Sequence, residues 1–144
     1  MSLRRRMARR GLKNAPSVTL RAPLATTLFA FAKPMLDTMP MPRRLPHMKA
    51  AMALAMLAWN LPILERDGDP KLAAEYRAMV DAELADKPAL AKALVAAMMA
   101  TRLVDFADDP RVVGSVDVVA EGAQIRVLAT ESEIQTAPEP FEGA

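Results

Sequence analysis

The chain has 144 residues, one domain's worth, with 52% hydrophobic but only 4% aromatic residues, 12 Pro, 11 Met, one His and no Cys. Those counts exclude disulfides, thiolate metal sites, multi-histidine metal centres and Cys/His nucleophile pairs within one chain. The net charge of +2 hides a split, because residues 1–49 carry 11 Lys+Arg against one acid and residues 50–144 carry 8 against 16, so +10 faces −8.

The split begins with the segment MSLRRRMARRGLK, which holds Arg4, Arg5, Arg6, Arg9, Arg10 and Lys13. Mutual repulsion predicts an extended basic arm over residues 1–22 that engages an acidic partner or folds back on the acidic body. Arginine forks also suit phosphate, which makes nucleic acid or a ribonucleoprotein the alternative partner. No aromatic residue interleaves these arginines, so base stacking is not indicated. Residues 1–36 contain no acid, as in a transit peptide, and Ala30-Phe31-Ala32 has the form of a leader cleavage site. Arg9-Arg10 faintly resembles a twin-arginine signal.

Residues 23–47 read as a short helix and a Pro-rich strap. Pro23 opens the helix, Leu24, Leu28, Phe31 and Met35 share one side of it, and Pro34 kinks or ends it. The prolines of MPMPRRLP then predict an extended strap with polyproline II character, carrying Arg43 and Arg44 as further cations for an acidic or phosphate partner.

From Met48 to Leu64 the chain is its most apolar. A helix from about Pro46 to Asn60 is expected from the run of Ala, Met and Leu, ended by Pro62. An apolar surface nearly all round marks a buried element, with Met48, Met52, Met56 and Trp59 as core or interaction residues and the Trp59 indole N–H directed to a polar partner. The 15 residues from Ala50 to Leu64 fall short of the about 20 that a span requires. Thioethers and imidazole suit Cu(I), which makes Met39, Met41, His47, Met48, Met52 and Met56 candidates for a copper site, but adaptable Met packing accounts for the same spacing.

Asp69 is placed to cap a helix over Pro70 to Ala85, with Leu72, Tyr76, Met79, Val80 and Leu84 inside. Pro88 opens another to Val104, with Leu90, Leu94, Val95, Met98 and Leu103 inside. The period then changes to that of a hairpin, Val112 to Ala120 and Gln124 to Thr130 about a Glu121-Gly122 turn. This register sets Val118 against Ile125, Val116 against Val127 and Asp117 against Arg126. Its free edges offer a route to a dimer. The acidic tail 131–144 reads as disordered, with Phe141 as an unconstrained residue.

Chemistry-bearing motifs are sparse. The serines sit in no nucleophile elbow, no Gly-rich phosphate loop exists, and Asp105, Asp108 and Asp109 read as a helix stop and turn rather than a cation site. The expectation is therefore a mainly helical α+β protein. A small antiparallel bundle of three main helices plus a short N-terminal helix carries a C-terminal hairpin, and residues 48–130 form the core domain. We expect a cytoplasmic, non-enzymatic interaction or accessory module with no cofactor and no metal, a protein partner or homo-oligomer, and no membrane. An Arg- and Ala-rich composition of this kind is what a GC-rich bacterial genome encodes.

Overall fold

The computed structural model of the chain describes residues 22–132. Among these, five helices precede one antiparallel hairpin in an α+β fold: α1 (Leu24–Phe31), α2 (Lys33–Leu36), α3 (Leu45–Asp67), α4 (Pro70–Leu84), α5 (Ala89–Val104), β1 (Val112–Glu121) and β2 (Gln124–Ser132). The central helix α3 touches α1, α2, α4, α5 and β1, while α1 also packs on β2.

The first two helices arise from one apolar stripe broken by a proline. Pro34 lies in the first turn of α2, so the chain closes α1 at Ala32 and restarts at Lys33. Leu24, Leu28, Phe31, Met35 and Leu36 are buried in the same core cluster as Met48, Met52, Trp59 and Val118. The strap that follows bends at Met39 and again at Met41 and Pro42, where the peptide bond is cis.

Helix α3 continues to Asp67, seven residues past the expected end at Asn60, with Pro62 inside it. Every residue from Leu57 to Leu64 is buried, as an element apolar all round should be. An interior proline costs about 3 kcal/mol, but full burial of Leu61, Ile63 and Leu64 contributes about 1.5–3 kcal/mol each, so packing wins over local propensity. The Trp59 carbonyl, three residues before Pro62 in the turn the proline disturbs, accepts the Nε hydrogen of Arg102 at 2.9 Å.

Asp69 occupies the N-cap position of α4, but its side chain makes no capping hydrogen bond; its main-chain carbonyl accepts from the Ala73 amide at 2.9 Å. The inner faces of the last two helices also differ from the expected ones. In α4 Ala73 and Val80 are buried, whereas Leu72 and Met79 are exposed. In α5 the buried stripe is Val95, Met98 and Arg102, and Leu90 and Leu103 face solvent. In α5, with only Lys92 and Arg102 charged, apolarity alone does not choose a face and the neighbour decides it: α5 turns toward α3 the residue that can hydrogen-bond there.

The hairpin turns at Gly122-Ala123 rather than Glu121-Gly122, so Glu121 meets Gln124, Val118 meets Val127 and Val116 meets Ala129. Gly122 has φ +60° and no other residue type has positive φ among the described residues. Placing Gly first in a two-residue turn confines positive φ to the one residue without a Cβ, which a turn led by Glu121 would not. The slip is two residues, so the inward face is unchanged and Val118 is buried against the helices. The cross-strand charge pair is lost: Asp117 faces Leu128 and pairs with Lys49 at 3.6 Å, while Arg126 faces Val119 and pairs with Glu121 at 3.1 Å. Strand β2 extends to Ser132, past the expected start of the tail at Glu131. The register shifts at Gly114, where an added Cβ would meet the Ser132 Cβ at 3.1 Å.

Candidate interaction surface

The strap between α2 and α3 is held at each end by the core. Met35 and Leu36 are buried on one side and Met48 on the other. Between them Pro40, Met41, Pro42, Arg44, Pro46 and His47 are exposed, Met41 at 74%. Arg43 is half-buried, and its Nε is shielded without a hydrogen-bond partner among the described residues. Arg44 is the N-cap of α3, whose first turn contains no acid and receives no side-chain cap. A helix start is the positive end of the helix dipole, so two arginines there leave positive potential uncompensated.

Behind this surface the core is fastened by a polar network. Trp59, Phe31 and Phe106 pack edge to face, with ring centroids 5.1–5.5 Å apart. The Arg102 guanidinium carbon lies 3.6 Å from the Trp59 ring centroid, and its Nη1 and Nη2 donate to the Phe106 and Arg111 carbonyls at 2.5 and 3.1 Å. Burial pulls the Arg102 pKa down to about 10, so it stays a cation at neutral pH. The Trp59 indole N–H donates to the Arg111 carbonyl at 2.8 Å, the polar partner expected of it. Arg111 in turn grips Asp109 at 2.7 and 2.9 Å and donates to the Ala22 carbonyl and the Thr27 hydroxyl, tying the start of the described chain to the loop before β1. Burial would raise the Asp109 carboxyl, but the Arg111 hydrogen bonds and charge outweigh it and hold it below its ordinary 3.8.

The chain matches no protein-family model, no curated protein and no solved structure.

Of the predicted site residues, Arg4, Arg5, Arg6, Arg9, Arg10 and Lys13 lie outside the described residues, while Arg43 and Arg44 share the strap. Met48, Met52 and Trp59 are buried and Met56 is half-buried. Of the thioethers and imidazole that suit copper, Met48 and Met52 are buried in the core while Met41 and His47 face solvent. No group of three or more His, Asp or Glu among the described residues could hold a metal ion. No helix among them is long and apolar enough to cross a membrane. Leu72 and Met79, expected inside, instead line a groove of about 420 Å³ with Tyr76 and the start of β1. The residues that sequence reasoning missed are Asn60, Arg102 and Arg111. The available signal was that Asn60 interrupts the uncharged run from Ala50 to Leu64 and that Arg102 is one of two charged residues in α5, places where a polar group is either out of register or hydrogen-bonded.

Proposed function

We propose that this protein is a non-enzymatic interaction module that grips an acidic partner protein with its strap and its basic arm, the three long helices serving as an antiparallel bundle that presents them. The observation that carries this reading is the exposed Met41 on the same short segment as Arg43, Arg44 and His47, anchored at both ends in the core. A thioether adapts to irregular apolar surface and arginine forks fit carboxylates, so the segment offers both halves of an interface contact. The test is affinity capture from host extract with the full chain and with a Met41→Ser, Arg43→Ser, Arg44→Ser variant. A nuclease-resistant partner lost by the variant is the expected result. An unchanged set of captured proteins sinks the reading.

Direct nucleic-acid binding is the second reading, favoured by the uncapped start of α3 behind Arg43 and Arg44, since main-chain amides and guanidinium groups both suit phosphate. Removing residues 1–13 should then abolish a salt-sensitive mobility shift with RNA or DNA. Equal retention by both chains would exclude it.

A further inference from the structure

The groove between α4 and the base of the hairpin is bordered by Ser132, where the described chain ends. Its α4 wall includes Leu72, which is 38% exposed, and Gly114 leaves the hairpin wall without a side chain, so that the Ser132 Cβ lies over it. Next to Leu72, Ala73 is buried with Ile63, Leu64 and Val112 in a small cluster separate from the main core. Satellite clusters of this kind lie under segments that cross the surface. Residues 133–144 follow directly, beginning Glu133 and Ile134.

The hairpin register fixes where those two residues arrive. Val112 faces Ser132, so an unbroken register sets Glu133 against Arg111 and Ile134 against Pro110, with Val112 as the diagonal neighbour of Ile134 on the same face. Pro110 has no amide, and the Arg111 amide and carbonyl are already bonded to Asp109, Trp59 and Arg102. Ladder hydrogen bonds therefore stop at Ser132, and side chains must hold what comes next. Both side chains suit their places. Arg111 is pushed above its ordinary pKa by its Asp109 hydrogen bonds, with attraction from Glu131 adding to them, and Glu133 brings a further carboxylate to that guanidinium. Alternation puts Ile134 on the Ser132 side of the strand, toward the groove.

We propose that Ile134 closes the Leu72 end of this groove, docking the start of residues 133–144 on α4 and the hairpin base of the same chain. The proposal rests on the groove and the register and is independent of the role given to the strap. Reach selects the same chain as the source: two extended residues span about 7 Å, so Ile134 begins at the groove. Only two residues are ordered to bury one isoleucine and the exposed part of Leu72.

The chain has no cysteine, so a single pair of thiols can be introduced. In the full chain, Leu72→Cys with Ile134→Cys should close a within-chain disulfide under mild oxidation about tenfold faster than Leu90→Cys with Ile134→Cys, Leu90 being exposed on α5. Non-reducing gels and intact mass identify the product. Comparable rates for the two pairs overturn the proposal. So does a disulfide that joins two chains, because the groove then takes Ile134 of a second copy. Ile134→Ser, again in the full chain, should shift the Leu72 methyl resonances and leave those of Leu90 in place, with unchanged far-UV circular dichroism. Leu72 methyls that do not move overturn the proposal as well.

Discussion

Asn60 of α3 and Val113 of β1 are joined as two paired strands would be. The Val113 amide donates to Asn60 Oδ1 at 2.7 Å, and Asn60 Nδ2 donates back to the Val113 carbonyl at 2.9 Å. The same Nδ2 reaches the Tyr76 hydroxyl at 3.0 Å, so one side chain ties α3, α4 and the hairpin together. It occupies the place of a further strand at this point of β1, where an unpaired edge would otherwise be open.

Asn60→Ala should therefore cost about 3 kcal/mol, since it strands a buried amide and carbonyl as well as removing their partner. Urea unfolding checks the magnitude, and loss of hydrogen-exchange protection at the Val113 amide checks the site. Asn60→Asp keeps the acceptor but sets a buried carboxylate oxygen against the Val113 carbonyl, so at neutral pH it should cost at least as much.

Arg102 supplies three donors to three carbonyls while lying over Trp59. Arg102→Ala leaves those carbonyls without these donors and opens a cavity beside the indole, a loss of about 3–5 kcal/mol by denaturant titration. Arg102→Lys keeps the charge but not the planar fork, so it should recover less than half of that difference.

Asp109 gives a pH dependence of defined sign. Its folded pKa is lowered, so the native state binds fewer protons than the unfolded chain near pH 4. The stabilisation is fully present above the ordinary carboxylate value of 3.8 and is lost as pH falls through the folded value. Denaturation midpoints should fall below about pH 4, and Asp109→Asn should flatten that acid limb while lowering stability at neutral pH by about 1–3 kcal/mol, because Arg111 loses its part-buried, hydrogen-bonded carboxylate.

At the hairpin, Gly122→Ala forces a Cβ into φ +60° and should destabilise by about 1 kcal/mol, with Gly122→Asn costing less. Thermal unfolding of the two variants distinguishes the cause, since nothing lies within 4 Å of a Cβ at Gly122 and crowding is not involved. Val118→Lys, by contrast, would place an ammonium in the core and report on folding rather than on association.

What could be read from the chain alone was whatever follows from local chemistry. Pro23, Pro70 and Pro88 mark where helices start because a missing amide is harmless there, the β-branched runs mark the hairpin, and an all-round apolar segment announces a buried helix. Residue pattern also put the basic charge of the strap at Arg43 and Arg44. It did not show their relation to the core, because the spacing of prolines says that a segment is extended and not what holds its ends.

The tertiary structure decided the rest, wherever two local answers were close in energy. Pro62 stays within α3 because buried Leu61, Ile63 and Leu64 outweigh one lost hydrogen bond. The hairpin register moved by two because a single glycine φ selects the turn, while both registers bury the same valines. Arg102 faces inward and Leu90 and Val104 outward because a neighbour with accepting carbonyls in reach makes a buried guanidinium favourable. Those carbonyls, of Trp59, Phe106 and Arg111, lie up to 43 residues away in the chain, beyond the reach of any sequence periodicity.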